Sequence, residues 1–420
     1  MDALKGLADY RVEMAQCVRC GACQAHCPVY LHTGREGSVA RGKIVLAEAL
    51  VEGRIEADDP RLQEELGLCL LCGSCLAHCP NQVPTDRIVA AARRLFTEGQ
   101  GLSTVGKAAA SLTGSRTLLR TLTRGAALLA PLLFKKIPEQ SGLRLRFAPD
   151  LLKGRTLPAF TGQTLFDLIP PVLEGAPGQP TVGVFAGCAL TYLFPRSGAW
   201  LARLPHLAGC TVYTPKNQGC CGMPALSTGN GPQTAHLAAD NLAAFRAYRP
   251  DIMVTGCASC LGMLSGHYPD LGLNPSATRL VDIHVLLVEQ GLDKRLAALP
   301  RKPEPVVVTY HDPCHLRLAG VSREPRALLR ALPQVRFVEM EAAATCCGMG
   351  GTFTAAHPEL SRAIGDRKAK HLKNSGAEIV ATGCPGCMIQ LQDIIERAGL
   401  PIRIMHTLEL IGQALEPDRV

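Results

Sequence analysis

The sequence lacks what a membrane-spanning or secreted chain would carry. No apolar run approaches the roughly 18 residues that a bilayer crossing requires; the nearest, Ala126 to Phe134, has nine residues and contains Pro131. The opening residues MDALKGLADYRVEM have no basic stretch leading into an apolar core, so no secretory signal is expected. The thiols are therefore expected to stay reduced in a cytoplasmic setting. Neither a G-x-G-x-x-G fingerprint nor a P-loop occurs, which leaves no recognisable site for flavin, nicotinamide or ATP. Charged residues make up 19% of the chain and apolar ones 47%, a globular and not a disordered composition. Its 420 residues suffice for two or three domains.

Cysteine is the residue present in excess. There are 19, far more than core filling explains. The formal charge of +8 is local. Between Gly101 and Phe160 the basic residues are Lys107, Arg116, Arg120, Arg124, Lys135, Lys136, Arg144, Arg146, Lys153 and Arg155, set against Glu139 and Asp150. That segment accounts for the whole excess, so the remainder is balanced.

Eight cysteines fall in residues 1–97, in two matching motifs: Cys17-x-x-Cys20-x-x-Cys23-x-x-x-Cys27-Pro and Cys69-x-x-Cys72-x-x-Cys75-x-x-x-Cys79-Pro. Both also carry Ala-His before the last cysteine. A cubane iron–sulfur cluster needs three sulfurs from one tight turn and a fourth from elsewhere, and in two-cluster ferredoxins the fourth cysteine crosses to the other site. The expected sets are Cys17, Cys20, Cys23 and Cys79 for one [4Fe–4S] cluster, and Cys69, Cys72, Cys75 and Cys27 for the other. Zinc and disulfides are competing readings, but the doubled triplet followed by Cys-Pro favours clusters. Helices are expected after each motif, one capped by Ser38 and running through Ile44 and Leu50, one capped by Asp86 and running through Ile88 and Leu95. Arg41 and Lys43 lie near the first motif, either on a solvated face or tuning its potential.

Residues 98–175 contain no cysteine and read as a basic, Leu-rich helical connector ending in a Pro-rich stretch. It is either a solvated linker or a surface for anionic lipid headgroups or an acidic partner.

Residues 176–420 hold a duplication. Cys188, Cys220, Cys221, Cys257 and Cys260 recur as Cys314, Cys346, Cys347, Cys384 and Cys387 at offsets of 126, 126, 126, 127 and 127, which predicts two copies of one domain, 176–300 and 301–420. Short β-rich runs precede the cysteines: Thr181–Phe185, Thr211–Tyr213 and Ile252–Val254, then Val306–Tyr310, Val335–Val338 and Ile379–Ala381. Helical stretches follow them. The alternation predicts a small parallel sheet per repeat with the cysteines at the carboxyl ends of its strands. Five thiols per repeat is one more than a cubane uses, implying a metal–sulfur centre with an additional or bridging thiolate; buried structural or redox-disulfide cysteines are the alternative. His311, Asp312 and His315 surround Cys314 and could assist proton-coupled electron transfer, or serve local structure. His284 and His406 occupy comparable late strand-to-helix positions, as structural hydrogen bonders or as a proton or quinone site. Cys210 has no counterpart in the second repeat and reads as a buried free thiol.

These motifs resemble the iron–sulfur subunit of glycolate oxidase and its relatives: the anaerobic glycerol-3-phosphate dehydrogenase C subunit, lactate-utilisation iron–sulfur proteins and the heterodisulfide reductase D subunit. The resemblance covers almost the whole chain. It rests on the paired ferredoxin motifs followed by two CCG domains, here Gly219-Cys220-Cys221-Gly222 and Thr345-Cys346-Cys347-Gly348. It implies an α-helical two-cluster ferredoxin-like domain followed by duplicated α/β CCG domains. It further implies a non-cubane [4Fe–4S] cluster on Cys188, Cys220, Cys221, Cys257 and Cys260, and another on Cys314, Cys346, Cys347, Cys384 and Cys387. Some glycolate-oxidase-type subunits have an incomplete second CxxC pair; both pairs are complete here. The implied role is electron transfer from a separate FAD-containing 2-hydroxyacid (glycolate or lactate) dehydrogenase subunit to a quinone-type acceptor, with peripheral attachment to the cell membrane through residues 101–160. A catalytic heterodisulfide-reductase-like disulfide reductase is the alternative. A storage or regulatory module would have no use for two kinds of cage in series.

Overall fold

The computed structural model describes residues 5–136, 142–145, 155–273 and 278–417. The amino-terminal part is helical. Its helix Pro60–Gly67 starts on Asp59, whose carboxylate accepts from the backbone N–H groups of Arg61 and Leu62, with Pro60 in the first turn, an arrangement that satisfies otherwise orphaned donors. Helices Ala40–Val51 and Thr85–Gln100 pack with it around Met14, Ile44, Leu62, Leu66, Ile88 and Val89. Neither of the expected caps forms. Ser38 ends a preceding 3-10 turn and donates its hydroxyl to the Arg35 carbonyl, while Asp86 is the second residue of its helix, after Pro84.

The connector contributes helices Thr104–Gly114 and Arg116–Leu133. It also forms a three-stranded antiparallel sheet, β1 (Phe134–Lys136), β2 (Gly142–Leu145) and β3 (Thr156–Pro158), in the order β1-β2-β3, so it is not wholly helical. Of its charged residues, Arg146, Lys153, Glu139 and Asp150 lie outside the described residues. Arg155 is almost buried against the Asp393 carboxylate at 3.7 Å and donates to the Gln390 side chain at 3.1 Å. The Thr156 backbone N–H donates to Asp393 at 2.9 Å. This end of the connector is therefore clamped onto the last long helix of the second repeat, Pro385–Arg397.

Each repeat is built on a small, mainly parallel sheet. The sheet of the first contains β4 (Val172–Leu173), β5 (Thr181–Val184), β6 (Thr211–Tyr213), β7 (Ile252–Thr255) and β8 (Arg279–Asp282), ordered β4-β6-β5-β7-β8, with β4 added antiparallel at the edge by the end of the connector. The second contains β9 (Val306–Tyr310), β10 (Val335–Phe337), β11 (Ile379–Thr382) and β12 (Arg403–His406), ordered β10-β9-β11-β12 and all parallel. The shared core order is the same: β6-β5-β7-β8 against β10-β9-β11-β12. Strand β11 is buried along its whole length, as both faces of a helix-covered parallel sheet should be. One apolar core runs through both repeats, from Leu165 to Ile411. Trp200 of the first repeat closes against Gly412 of the second, where any Cβ would lie 2.2 Å from the indole.

Register corrects one expectation. β8 pairs Asp282 with Thr255 and β12 pairs His406 with Thr382, so the counterpart of His406 is Asp282, not His284. Both cap the helix that follows: Asp282 accepts from the His284 N–H, and the His406 Nδ1 accepts from the Leu408 N–H. His284 instead bridges the Asp282 carboxylate at 2.6 Å and the Thr407 hydroxyl of the other repeat.

Candidate metal centres

The ferredoxin-like motifs turn through strained backbone at matching points. Arg19 (φ +57°) and Leu71 (φ +51°), each just before the second cysteine of its motif, are left-handed, a conformation that non-glycine residues adopt only when the surroundings impose it. One cavity is lined by Cys17, Cys20, Cys23, Cys75 and Cys79, and a second by Cys27, Cys69, Cys72 and Cys75. The last cysteine of each motif thus lies with the triplet of the other. Burial pushes the Cys27 thiol up to about 11 and raises that of Cys72. Arg41 is beside the first set, ion-paired with Glu36 at 2.5 Å and bonded to the Arg19 carbonyl. Lys43 is not on a solvated face: it is 2% exposed, donates to the Glu65 carbonyl and lines the second cavity.

In the repeats every cysteine of interest sits past the carboxyl end of a strand. Cys188 and Cys314 lie in the first turn of the helices after β5 and β9, Cys257 and Cys384 follow β7 and β11 by two residues, and the Cys-Cys pairs occupy the loops after β6 and β10. The glycine of each Cys-Cys-Gly is left-handed, Gly222 at φ +97° and Gly348 at φ +90°, which turns the chain back beneath the thiols at no Cβ penalty. A Cβ on Gly187 would lie 2.8 Å from the Cys260 sulfur, so this glycine lets the backbone approach the thiol set.

The thiols form a continuous line. Cys188 and Cys220 are 3.7 Å apart, as are Cys347 and Cys387. Cys221 is held down to about 5 by hydrogen bonds from Cys220 and Cys260. Cys347 is held well below the usual thiol range by Cys346 and Cys387, with His311 assisting, and Cys384 by Cys257 and Cys387. The Cys257–Cys384 contact joins the two repeats. At the other end, Cys27, Cys72 and Cys346 pack around one apolar cluster of Val29, Leu68, Leu70, Phe353 and Ile364. The His315 ring lies 2.9 Å from the Leu71 carbonyl. All 19 cysteines are free thiols. Cysteine-dominated donor sets, with Cys221 in the first repeat and Cys347 and Cys384 in the second held low by neighbouring thiols, fit iron–sulfur ligation, because the thiolate is the metal-binding form.

Of the other singled-out residues, His311 is buried, favours its neutral form because of that burial, and lies with Cys347 and Cys387 in one metal-competent group. Asp312 pairs with Arg326 at 3.0 Å. His406 directs its Nε2 at the Gly256 carbonyl at 2.8 Å. Cys210 is buried, with the Gln290 amide on its sulfur at 2.9 Å. Two groups had not stood out in the sequence. Arg93 donates to the carbonyls of Leu66, Gly67, Cys69 and Ser227, tying the second motif to the first repeat. Lys368 is fully buried and donates to the carbonyls of Ala342 and Ala343. A cavity of about 290 Å³ reaches Cys346 between the stacked rings of His26 and His78 and the guanidinium groups of Arg317 and Arg367.

Comparison with known proteins agrees with this geometry. A cysteine-rich (CCG) domain family matches residues 182–265 and 308–392, and a 4Fe-4S dicluster domain family matches residues 13–83. The chain is similar to the probable glycolate oxidase iron-sulfur subunit of Bacillus subtilis, with 31% identity over 96% of this chain and 94% of that protein. It is similar to one of the subunits of the fumarate reductase (CoM/CoB) of Methanothermobacter marburgensis, with 30% identity over 96% of this chain and 72% of that protein. It also resembles lactate utilization protein A of an Exiguobacterium species, with 28% identity over 57% of this chain and 99% of that protein.

Proposed function

The chain belongs to the family of glycolate-oxidase-type iron–sulfur subunits, and we propose that it is the electron-transfer subunit of a flavin-dependent 2-hydroxyacid dehydrogenase, receiving electrons from an FAD-containing partner and passing them to a quinone-type acceptor. Cys17, Cys20, Cys23 and Cys79 would hold one cubane [4Fe–4S] cluster, and Cys27, Cys69, Cys72 and Cys75 a second. Cys188, Cys220, Cys221, Cys257 and Cys260 would hold one non-cubane cluster, and Cys314, Cys346, Cys347, Cys384 and Cys387 another. Such clusters supply one-electron steps that divide the pair delivered by a flavin. The observation that carries the reading is contiguity: the four thiol sets adjoin one another in series, the second motif meeting the second repeat around Cys72 and Cys346, and the repeats meeting at Cys257 and Cys384.

No helix among the described residues is long and apolar enough to cross a membrane. Peripheral contact is supported by the helix Arg116–Leu133, which exposes Leu118, Leu122, Leu128 and Leu129 as well as Arg116, Arg120 and Arg124. Exposed apolar and basic side chains on one helix suit an anionic headgroup layer. A second reading, a disulfide reductase, is favoured by the cavity that reaches Cys346. The deciding experiment mixes the anaerobically purified chain with its FAD partner and follows bleaching of cluster absorbance on adding glycolate or lactate. Bleaching followed by reoxidation with a soluble quinone supports electron transfer. Disulfide turnover by this chain alone with an artificial donor, and no bleaching by hydroxyacid, would replace it with the second reading.

A further inference from the structure

The two repeats support their Cys-Cys loops from the same helix position with different chemistry. In the first repeat, Asn241 on helix Gly231–Phe245 accepts from the Gly219 N–H at 2.7 Å and donates to the Cys220 carbonyl at 2.8 Å. At the offset of 127 residues that relates the two CxxC pairs, its counterpart is Lys368 on helix Pro358–Ser375. Its ammonium donates to the carbonyls of Ala342 at 3.2 Å and Ala343 at 2.8 Å, just before Cys346. The exchange does more than change the anchor: it puts a basic amine in a buried loop where the first repeat has a neutral amide.

No carboxylate is hydrogen-bonded to that amine among the described residues; its bonds run to two carbonyls. The buried acid that acts on it, Asp312, is engaged by Arg326 at 3.0 Å and by the Ser322 hydroxyl at 3.1 Å. Burial pulls the Lys368 ammonium down to about 8, and Cys347, Cys346 and Cys387, with Asp312, oppose that fall. Around the first repeat's loop the buried partners are neutral: Asn241, Tyr268, which donates to the Cys221 carbonyl at 3.0 Å, and Gln218. Arg116 reaches the Asn217 carbonyl there from an exposed position, where water screens it. Reduction adds negative charge to an iron–sulfur centre, and a fixed cation in a low-dielectric loop stabilises the added charge.

We propose that Lys368 sets the centre of the second repeat at a higher reduction potential than that of the first, so that an electron shared between the repeats resides in the second, beside the ferredoxin-like motifs. Lys368 is a positioning residue for charge and not a ligand. The inference rests on the reading that the ten repeat cysteines hold iron–sulfur centres.

The test is a redox titration of the full anaerobic chain followed by electron paramagnetic resonance, on the wild type and on Lys368→Gln and Lys368→Arg, each with its iron content measured. The signal lost in Cys347→Ser identifies the second repeat. The wild type should show two separate repeat potentials with the second higher. Lys368→Gln should lower only that one, by at least tenfold in the reduced-to-oxidised ratio at fixed potential, about 59 mV for a one-electron couple; Lys368→Arg should hold it near the wild-type value. A Lys368→Gln protein with full iron and an unmoved potential overturns the proposal. So do equal potentials in the wild type, a comparison that stands even if Lys368→Gln fails to fold. Absence of iron from the repeats of the wild type would sink the underlying reading instead.

Discussion

The two repeats share a strand order and a thiol pattern, yet three positions around the thiols and the sheet ends carry different chemistry. Phe185 and His311 follow the corresponding strands, and each backbone N–H is bonded to the neighbouring strand, Phe185 to Val254 and His311 to Ala381. Asn241 faces one Cys-Cys loop and Lys368 the other. The cap on the helix after the last strand is Asp282 in one repeat and His406 in the other. Duplication has kept what holds the sulfurs and changed what surrounds them. The ferredoxin-like part and the connector reach both repeats at different points: Ser227 and Asn217 in the first, His315 and Asp393 in the second.

That asymmetry can be broken at graded cost. The largest effect is expected at Asp393, which holds Arg155, Arg397 and the Thr156 backbone; its counterpart by offset is Gly266, with open space around it. Asp393→Ala leaves the buried Arg155 without its carboxylate and should lower stability by about 3–5 kcal/mol, seen as a fall in Tm, whereas Gly266→Ala should leave Tm nearly unchanged.

His406 makes the second repeat acid-sensitive. With the Leu408 N–H on Nδ1 and the Gly256 carbonyl on Nε2, the ring must be neutral with its proton on Nε2. Burial, with His284 assisting, pushes it down to about 4. The unfolded chain, with an ordinary histidine near 6.5, binds the proton first, so stability is lost as pH falls from about 6.5 toward 4, by up to roughly 3 kcal/mol. His406→Asn, a competent cap, should flatten urea midpoints measured across that range; an unchanged slope would refute the assignment.

Next come the two loop glycines. A Cβ at Gly348 would meet the Ser361 carbonyl oxygen at 2.6 Å, while at Gly222 the nearest atom is the flexible Met263 terminus at 3.4 Å. Both alanine variants incur left-handed strain of about 1–3 kcal/mol, and Gly348→Ala should be the more damaging by Tm. The smallest effect is expected at Leu128, 82% exposed on the connector helix. Leu128→Ser should change stability by less than about 0.5 kcal/mol while reducing co-sedimentation with anionic vesicles.

The sequence made the sulfur pattern legible because ligation demands fixed local spacing, and the 126–127 residue offset exposed the duplication directly. The parallel sheets followed from short β-branched runs alternating with helices. What escaped was set by tertiary contact. Lys368 lies in a helix rich in Lys and Arg, where solvation is the ordinary expectation, and only packing reveals that it points inward. Arg155 sat in a basic run for the same reason. The pairing of His284 with His406 failed because the offset slips to 124 at the last strand, where no cysteine marks the register.

The measurement that bears most directly on the continuous thiol path is iron and acid-labile sulfide per chain after anaerobic purification. Four [4Fe–4S] centres predict roughly 16 iron atoms. Roughly eight, the content of the two ferredoxin-like clusters alone, would leave the ten repeat cysteines without a cluster and contradict the path drawn through them.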